Sequence, residues 1–174
     1  MFYHDDLDRF HSVPFNYYVS TTSEPLKALT SNVWATFSDE EQAEVDRHSN
    51  NKSRVLGLEY TERLVIQLYY HWRLDPTLCI ATPRDKTAFN VKDFYNTNKT
   101  SIGKQAKVID LLCLHGFIDT TKGSFNRDNS VNPNTTSRMR TAKRLHEMFE
   151  SLKVSEFDLD LNANRKMIEL TDFE

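Results

Sequence analysis

The chain has 174 residues, a formal net charge of −3, 39% apolar and 27% charged residues, the balance of one globular domain with an arm or tail, large enough to bury about two thirds of its unfolded surface. The longest apolar runs, such as Leu111-Leu112-Cys113-Leu114, are too short for a membrane span, and two cysteines, Cys79 and Cys113, cannot make a disulfide scaffold. The acidic start, Met1-Phe2-Tyr3-His4-Asp5-Asp6, has no apolar core of a secretion signal, so a cytoplasmic setting with reduced thiols is expected. The four glycines, at 57, 103, 116 and 123, give neither G-x-G-x-x-G nor a Walker A loop, which argues against classical nucleotide binding.

In chain order, residues 1–30 mix acids with aromatics (Phe2, Tyr3, Phe10, Phe15, Tyr17, Tyr18), which predicts an arm packed on the body or on a partner. Ser23 to Val45 has helical spacing at Leu26, Leu29, Val33 and Phe37, with a break where Ser38 and Glu41 form a capping-box pattern. His48 to Ser53 is a polar loop. Glu59 to Trp72 predicts a helix with an apolar stripe of Leu64, Val65, Leu68, Tyr69 and Trp72, leaving Glu62, Arg63 and Gln67 off the stripe, and Asp75-Pro76 ends it.

Leu78 to Ala81 predicts a short strand. Asn90 caps a short helix through Asn96, Thr97-Asn98-Lys99 turns, and Asn98 or Thr100 opens a helix to about Leu114 with Ile102, Ala106, Ile109, Leu112 and Cys113 inward. Gly116 stands where a left-handed residue ends a helix. Phe117 to Lys122 and Ser137 to Arg140 predict a hairpin around a polar loop, 126–136, rich in asparagine. Thr141 is the expected cap of a last helix, with Ala142, Leu145, Met148, Phe149 and Leu152 inward. From Ser155 an acidic tail alternates like a half-buried strand, and Met167 to Leu170 predicts another.

Charge is uneven. Residues 84–144 carry 12 Lys+Arg against 5 Asp+Glu, a net +7, and the remainder is −10. A basic block inside an acidic chain predicts an anion-binding surface.

The order helix, strand, short helix, turn, longer helix ending in Gly-Phe-Ile, then hairpin, resembles a winged helix-turn-helix over Arg54 to Leu152. Its most specific piece is Lys107 to Ile118, followed by Arg138-Met139-Arg140. Ser137-Arg138-Met139-Arg140-Thr141-Ala142 is also similar to plasmid and phage replication-initiator, or origin-binding, proteins. The resemblance implies a mainly α fold with a small β-hairpin wing (α+β) and extra N-terminal helices. It divides the chain into an N-terminal arm and helical extension at 1–53, a winged-helix DNA-binding domain at 54–152 and an acidic tail at 153–174.

The function so implied is sequence-specific binding of double-stranded DNA, in replication initiation of a plasmid or phage, or as a transcriptional repressor with the same domain; a winged helix serving as a protein-protein module is the rival of another class. The helix from Thr100 would enter the major groove with Thr100, Ser101, Lys104, Gln105 and Lys107 exposed, residue types that read base edges or hold phosphates. Arg138 and Arg140, on one face of a strand, with Lys122, Arg127 and Lys143 on the hairpin or at its exit, would meet the backbone or minor groove, and Arg144 lies at that exit as further support. Two-fold DNA sites imply a homodimer, with the N-terminal region free to hold a protein partner.

Enzyme patterns find no support. The six histidines give no H-E-x-x-H, neither cysteine has a metal-spaced partner, and Gly-x-Ser-x-Gly is missing. His115 reads as a helix-end residue, Cys113 and Tyr69 as core, and Glu40-Glu41 as charges at a helix N-terminus. No cofactor or metal is expected.

Overall fold

The structure, a computed structural model, describes residues 12–13, 21–47, 56–81, 102–121 and 138–154. Their elements are β1 (Ser12–Val13), α1 (Glu24–Ala35), α2 (Asp39–Arg47), α3 (Gly57–Leu74), β2 (Cys79–Ala81), α4 (Ile102–Leu114), β3 (Ile118–Thr121), β4 (Arg138–Thr141) and α5 (Lys143–Glu150). The predicted helix at 90–96, the turn at 97–99, the loop at 126–136 and the strands after Ser155 lie outside the described residues.

The predicted break between the first two helices is present, and its chemistry is local. The Ser38 amide donates to Glu41 Oε2 at 2.7 Å and the Glu41 amide donates to Ser38 Oγ at 3.2 Å, a reciprocal capping box that restarts the chain as α2. Upstream, Ser23 Oγ accepts from the Leu26 amide at 3.3 Å and caps α1. Leu26, Leu29 and Val33 of α1 are buried against α3.

The α3 helix is the centre of the molecule. Tyr60, Thr61 and every residue from Leu64 to His71 are buried, so the single stripe expected from spacing is corrected: Gln67, placed off it, is 0% exposed. The reason is that α3 has neighbours on several sides, with α1 on one and α4 and β4 on others. One apolar core joins α1, α3, α4, Ile80 of β2, Ile118 of β3, Met139 of β4, and Leu145 and Phe149 of α5. At the start of α3 the elements come very close. A Cβ on Gly57 would stand 2.5 Å from Trp34 Cη2 and 2.6 Å from Val45 Cγ1, so only glycine fits between α1 and α2 there.

The strand order is β1-β2-β4-β3. Strand β4 lies between β2 and β3 and runs antiparallel to both, pairing Met139 with Ile80 and Arg140 with Asp119, while β1 adds a short parallel edge to β2. The fold is thus mainly α with a small β-hairpin wing, as expected.

Helix α4 ends as predicted. Gly116 has φ +74°, its amide donates to the Cys113 carbonyl at 3.1 Å, and the Phe117 amide donates to the Leu112 carbonyl at 2.9 Å. This paired pattern closes the helix and turns the chain directly into β3. The start of α5 differs from expectation. Its cap is Ala142, not Thr141; the Ala142 amide donates to the Phe117 carbonyl at 2.9 Å, and no side chain caps the helix. That bond ties the end of β4 to the exit of α4, which fixes where α5 begins.

Candidate nucleic-acid interface

Helix α4 sets the geometry of any groove-reading surface, and its rotation about its own axis differs from the one expected. Lys104 and Gln105, expected at the exposed tip, are buried, 2% and 1% exposed, while Cys113, expected in the core, is exposed and Ala106 is half-buried. The inward face is built on Val108, Ile109 and Leu112. Ile109 and Leu112 are inward in either arrangement; what changes is that Val108 takes the buried place expected for Ala106 and Cys113, on the side that packs against α3 and β3. Lys104 and Gln105 stand one turn before Val108 and Ile109 on the same face, so they go inside with them. Gln105 Nε2 is buried without a hydrogen-bond partner. The open side of α4 carries Gly103, Ala106, Lys107, Asp110, Cys113 and Leu114.

Strand β4 also holds one arginine back. Arg140 is only 8% exposed, and its Nε lies 3.7 Å from Oδ2 of Asp119, its cross-strand partner, so it is not available to a backbone as expected. Arg138, at the other end of the strand, is half-buried opposite Thr121 and Ala81. Lys143, in the first turn of α5, is exposed, with Nζ 3.8 Å from Glu147 Oε1. Lys107 is half-exposed and pairs with Glu44 of α2. Thr100, Ser101, Lys122 and Arg127 lie outside the described residues. Of the ten expected contacts, then, Lys107, Arg138 and Lys143 reach the surface of the described residues.

Arg144 joins them. Its guanidinium carbon lies 4.2 Å from the centre of the Phe117 ring, and Nη1 donates to the His115 carbonyl at 2.8 Å. The sequence hint was its place beside Lys143 at the hairpin's exit, behind a helix ending in Gly-Phe. From 129 to 146 the chain carries no acid, and residues 138–144 alone carry four cations. The opening turn of α5 has no acidic residue either.

The other border of this surface is acidic. His115 Nε2 lies 3.2 Å from both carboxylate oxygens of Glu41, and its ring centre is 5.0 Å from that of Phe37. The Ser38 amide first, and His115 second, hold the Glu41 carboxyl below its ordinary range. On the far side of α5, Trp72 donates its indole N–H to His146 Nδ1 at 2.7 Å, which leaves His146 Nε2 to donate to Glu150 Oε1 at 3.1 Å. These histidines are bound into the fold by their neighbours. Among the described residues no three His, Cys, Asp or Glu side chains converge as a metal-binding set, and no helix is long and apolar enough to cross a membrane. Comparisons with protein-family models, curated proteins and solved structures found no match to this chain.

Proposed function

We propose that this chain is a non-enzymatic, winged-helix protein that binds duplex DNA, holding it chiefly by its phosphates at the root of the hairpin. The observation that carries this is the junction of β4 with α5, where the sequence from 129 to 146 has no acid and Lys143 and Arg144 are exposed beside the exit of α4, with Arg138 half-buried at the other end of β4. Arginine and lysine at such a junction neutralise phosphates and release counterions, which is the main source of duplex affinity. The element order supports the same reading: α3, β2, α4, β3, β4 and α5 follow one another as in the winged-helix arrangement the sequence resembles.

The inward turn of Lys104 and Gln105 changes how the duplex would be read. Base contact by those two is set aside. On the described part of α4, Lys107 is the side chain suited to a guanine edge or a phosphate. Binding is therefore dominated by backbone contacts, and two-fold sites would engage two copies. A duplex bearing a replication origin is the first specific ligand to try, given the likeness of residues 137–142 to origin-binding proteins.

The test is a gel shift with a random-sequence duplex in about 50 mM salt. A retarded complex at micromolar protein is expected. No complex at about 10 μM, well within the usual non-specific range, would remove the proposal.

A further inference from the structure

We propose that α2 is an acidic cover for α4, with Glu44 withholding Lys107 from DNA; this rests on the duplex-binding reading above. The nine residues of α2 include Asp39, Glu40, Glu41, Glu44 and Asp46 against Arg47 alone, a net charge of −4. The helix lies along the open side of α4. Glu44 pairs with Lys107, Glu41, one turn earlier on α2, meets His115 just past the end of α4, and Val45, Leu111 and Leu114 floor a groove of about 140 Å³ between the helices, rimmed also by Asp110.

The attachments of α2 fall into two kinds. Its ends are fixed to other parts of the fold. Gln42 Nε2 donates to the Trp34 and Phe37 carbonyls at 3.1 and 3.0 Å, and Asp46 Oδ1 accepts from the Gly57 amide at 2.7 Å. Val45 is its one buried residue. Toward α4, Val45 packs beside Leu111 and the Glu41–His115 pair is half-buried, but the Glu44–Lys107 pair is open to water, with Lys107 and Glu44 side chains 36% and 58% exposed. An ion pair of this kind is easily exchanged.

A DNA phosphate is an oxyanion like the Glu44 carboxylate and would compete for the same ammonium. A duplex brought to α4 must also pass the remaining α2 acids, which repel it within a Debye length. Binding therefore requires Lys107 to leave Glu44, and neutralising Glu44 removes that requirement.

The experiment measures duplex affinity at low salt for the parent, for Glu44→Gln and for Glu40→Gln. The two variants lose the same charge from the same helix. Glu40 is exposed and borders neither Lys107 nor the groove. Glu44→Gln is expected to bind about fivefold tighter than the parent, the upper range for releasing an exposed pair, and Glu40→Gln less than twofold tighter. Lys107→Ala is expected to weaken the Glu44→Gln protein more than it weakens the parent, a coupling that net charge alone does not produce. Equal gains in the two glutamine variants, or no coupling to Lys107, overturn the inference while leaving duplex binding intact. If parent and variants all fail to bind duplex, both proposals fall together.

Discussion

Arg144 lies over the Phe117 ring, 4.2 Å from its centre, and donates to the carbonyl of His115, so a surface cation is anchored to the turn that ends α4. Phe117 is itself buried. The guanidinium thus covers an apolar ring and keeps its outer edge toward solvent. Lysine can supply the charge but not the flat contact with its directed N–H. Arg144→Lys is expected to lower stability by about 1 kcal/mol and to bind duplex less weakly than Arg144→Ala. Thermal unfolding and DNA titration of the two variants check this. Equal binding by the alanine variant and the parent would remove Arg144 from the interface.

His71 predicts an acid-sensitive core. Its ring is buried in α3 with neither nitrogen hydrogen-bonded, and burial lowers its pKa to about 4 from the ordinary 6.5. Below pH 6.5 the unfolded chain takes up a proton that the folded chain refuses. The stability present above pH 6.5 should fall as pH drops toward 4, by on the order of 3 kcal/mol, and level off below that. Denaturant titrations across the window should show this slope in the parent and a flatter one in His71→Leu. The same slope in both would assign it to other groups.

Gly57 begins α3 directly against Trp34 of α1 and Val45 of α2. Gly57→Ala puts a methyl group onto Trp34 and Val45, and the expected cost is about 1–3 kcal/mol despite alanine's better helix propensity. A fall in the thermal midpoint with unchanged cooperativity is the expected result. A rise would mean that Trp34 moves aside freely.

Gln105 separates packing from recognition. Its amide nitrogen is buried without a partner on the face that also buries Ile109. Replacing an unsatisfied amide by an apolar group of similar size removes a desolvation cost. Gln105→Leu should leave duplex binding unchanged and stability equal or up to about 1 kcal/mol higher. A selective loss of DNA binding in a normally folded variant would return Gln105 to the interface.

What was legible in the sequence was local chemistry. Ser38 with Glu41, and Gly116 before Phe117, are patterns whose partners lie within a few residues, and both occur as predicted. The strands at Cys79–Ala81, Ile118–Thr121 and Arg138–Thr141 likewise sit in short apolar or alternating runs. Rotation of α4 was not legible, because two overlapping apolar sets fit the same helix. The choice between Val108 and the Ala106–Cys113 pair depends on what α3 and β3 present to it. The burial of Gln67 has the same origin, since nothing near residue 67 announces neighbours on every side. Arg140 and Asp119 form a pair fixed by hairpin register, and Glu44 meets Lys107 across 63 positions. Such contacts arise only once the chain is folded.

Fluorescence anisotropy with a labelled random duplex, titrated over a range of salt concentrations, tests the central claim most directly. Phosphate contacts by Arg138, Lys143, Arg144 and Lys107 predict that log K falls against log salt with a slope near −4. Arg138→Ala with Lys143→Ala should flatten the slope by about 2 while weakening all sequences alike. An affinity that does not change with salt, or a double variant that binds as tightly and as steeply as the parent, would contradict the account.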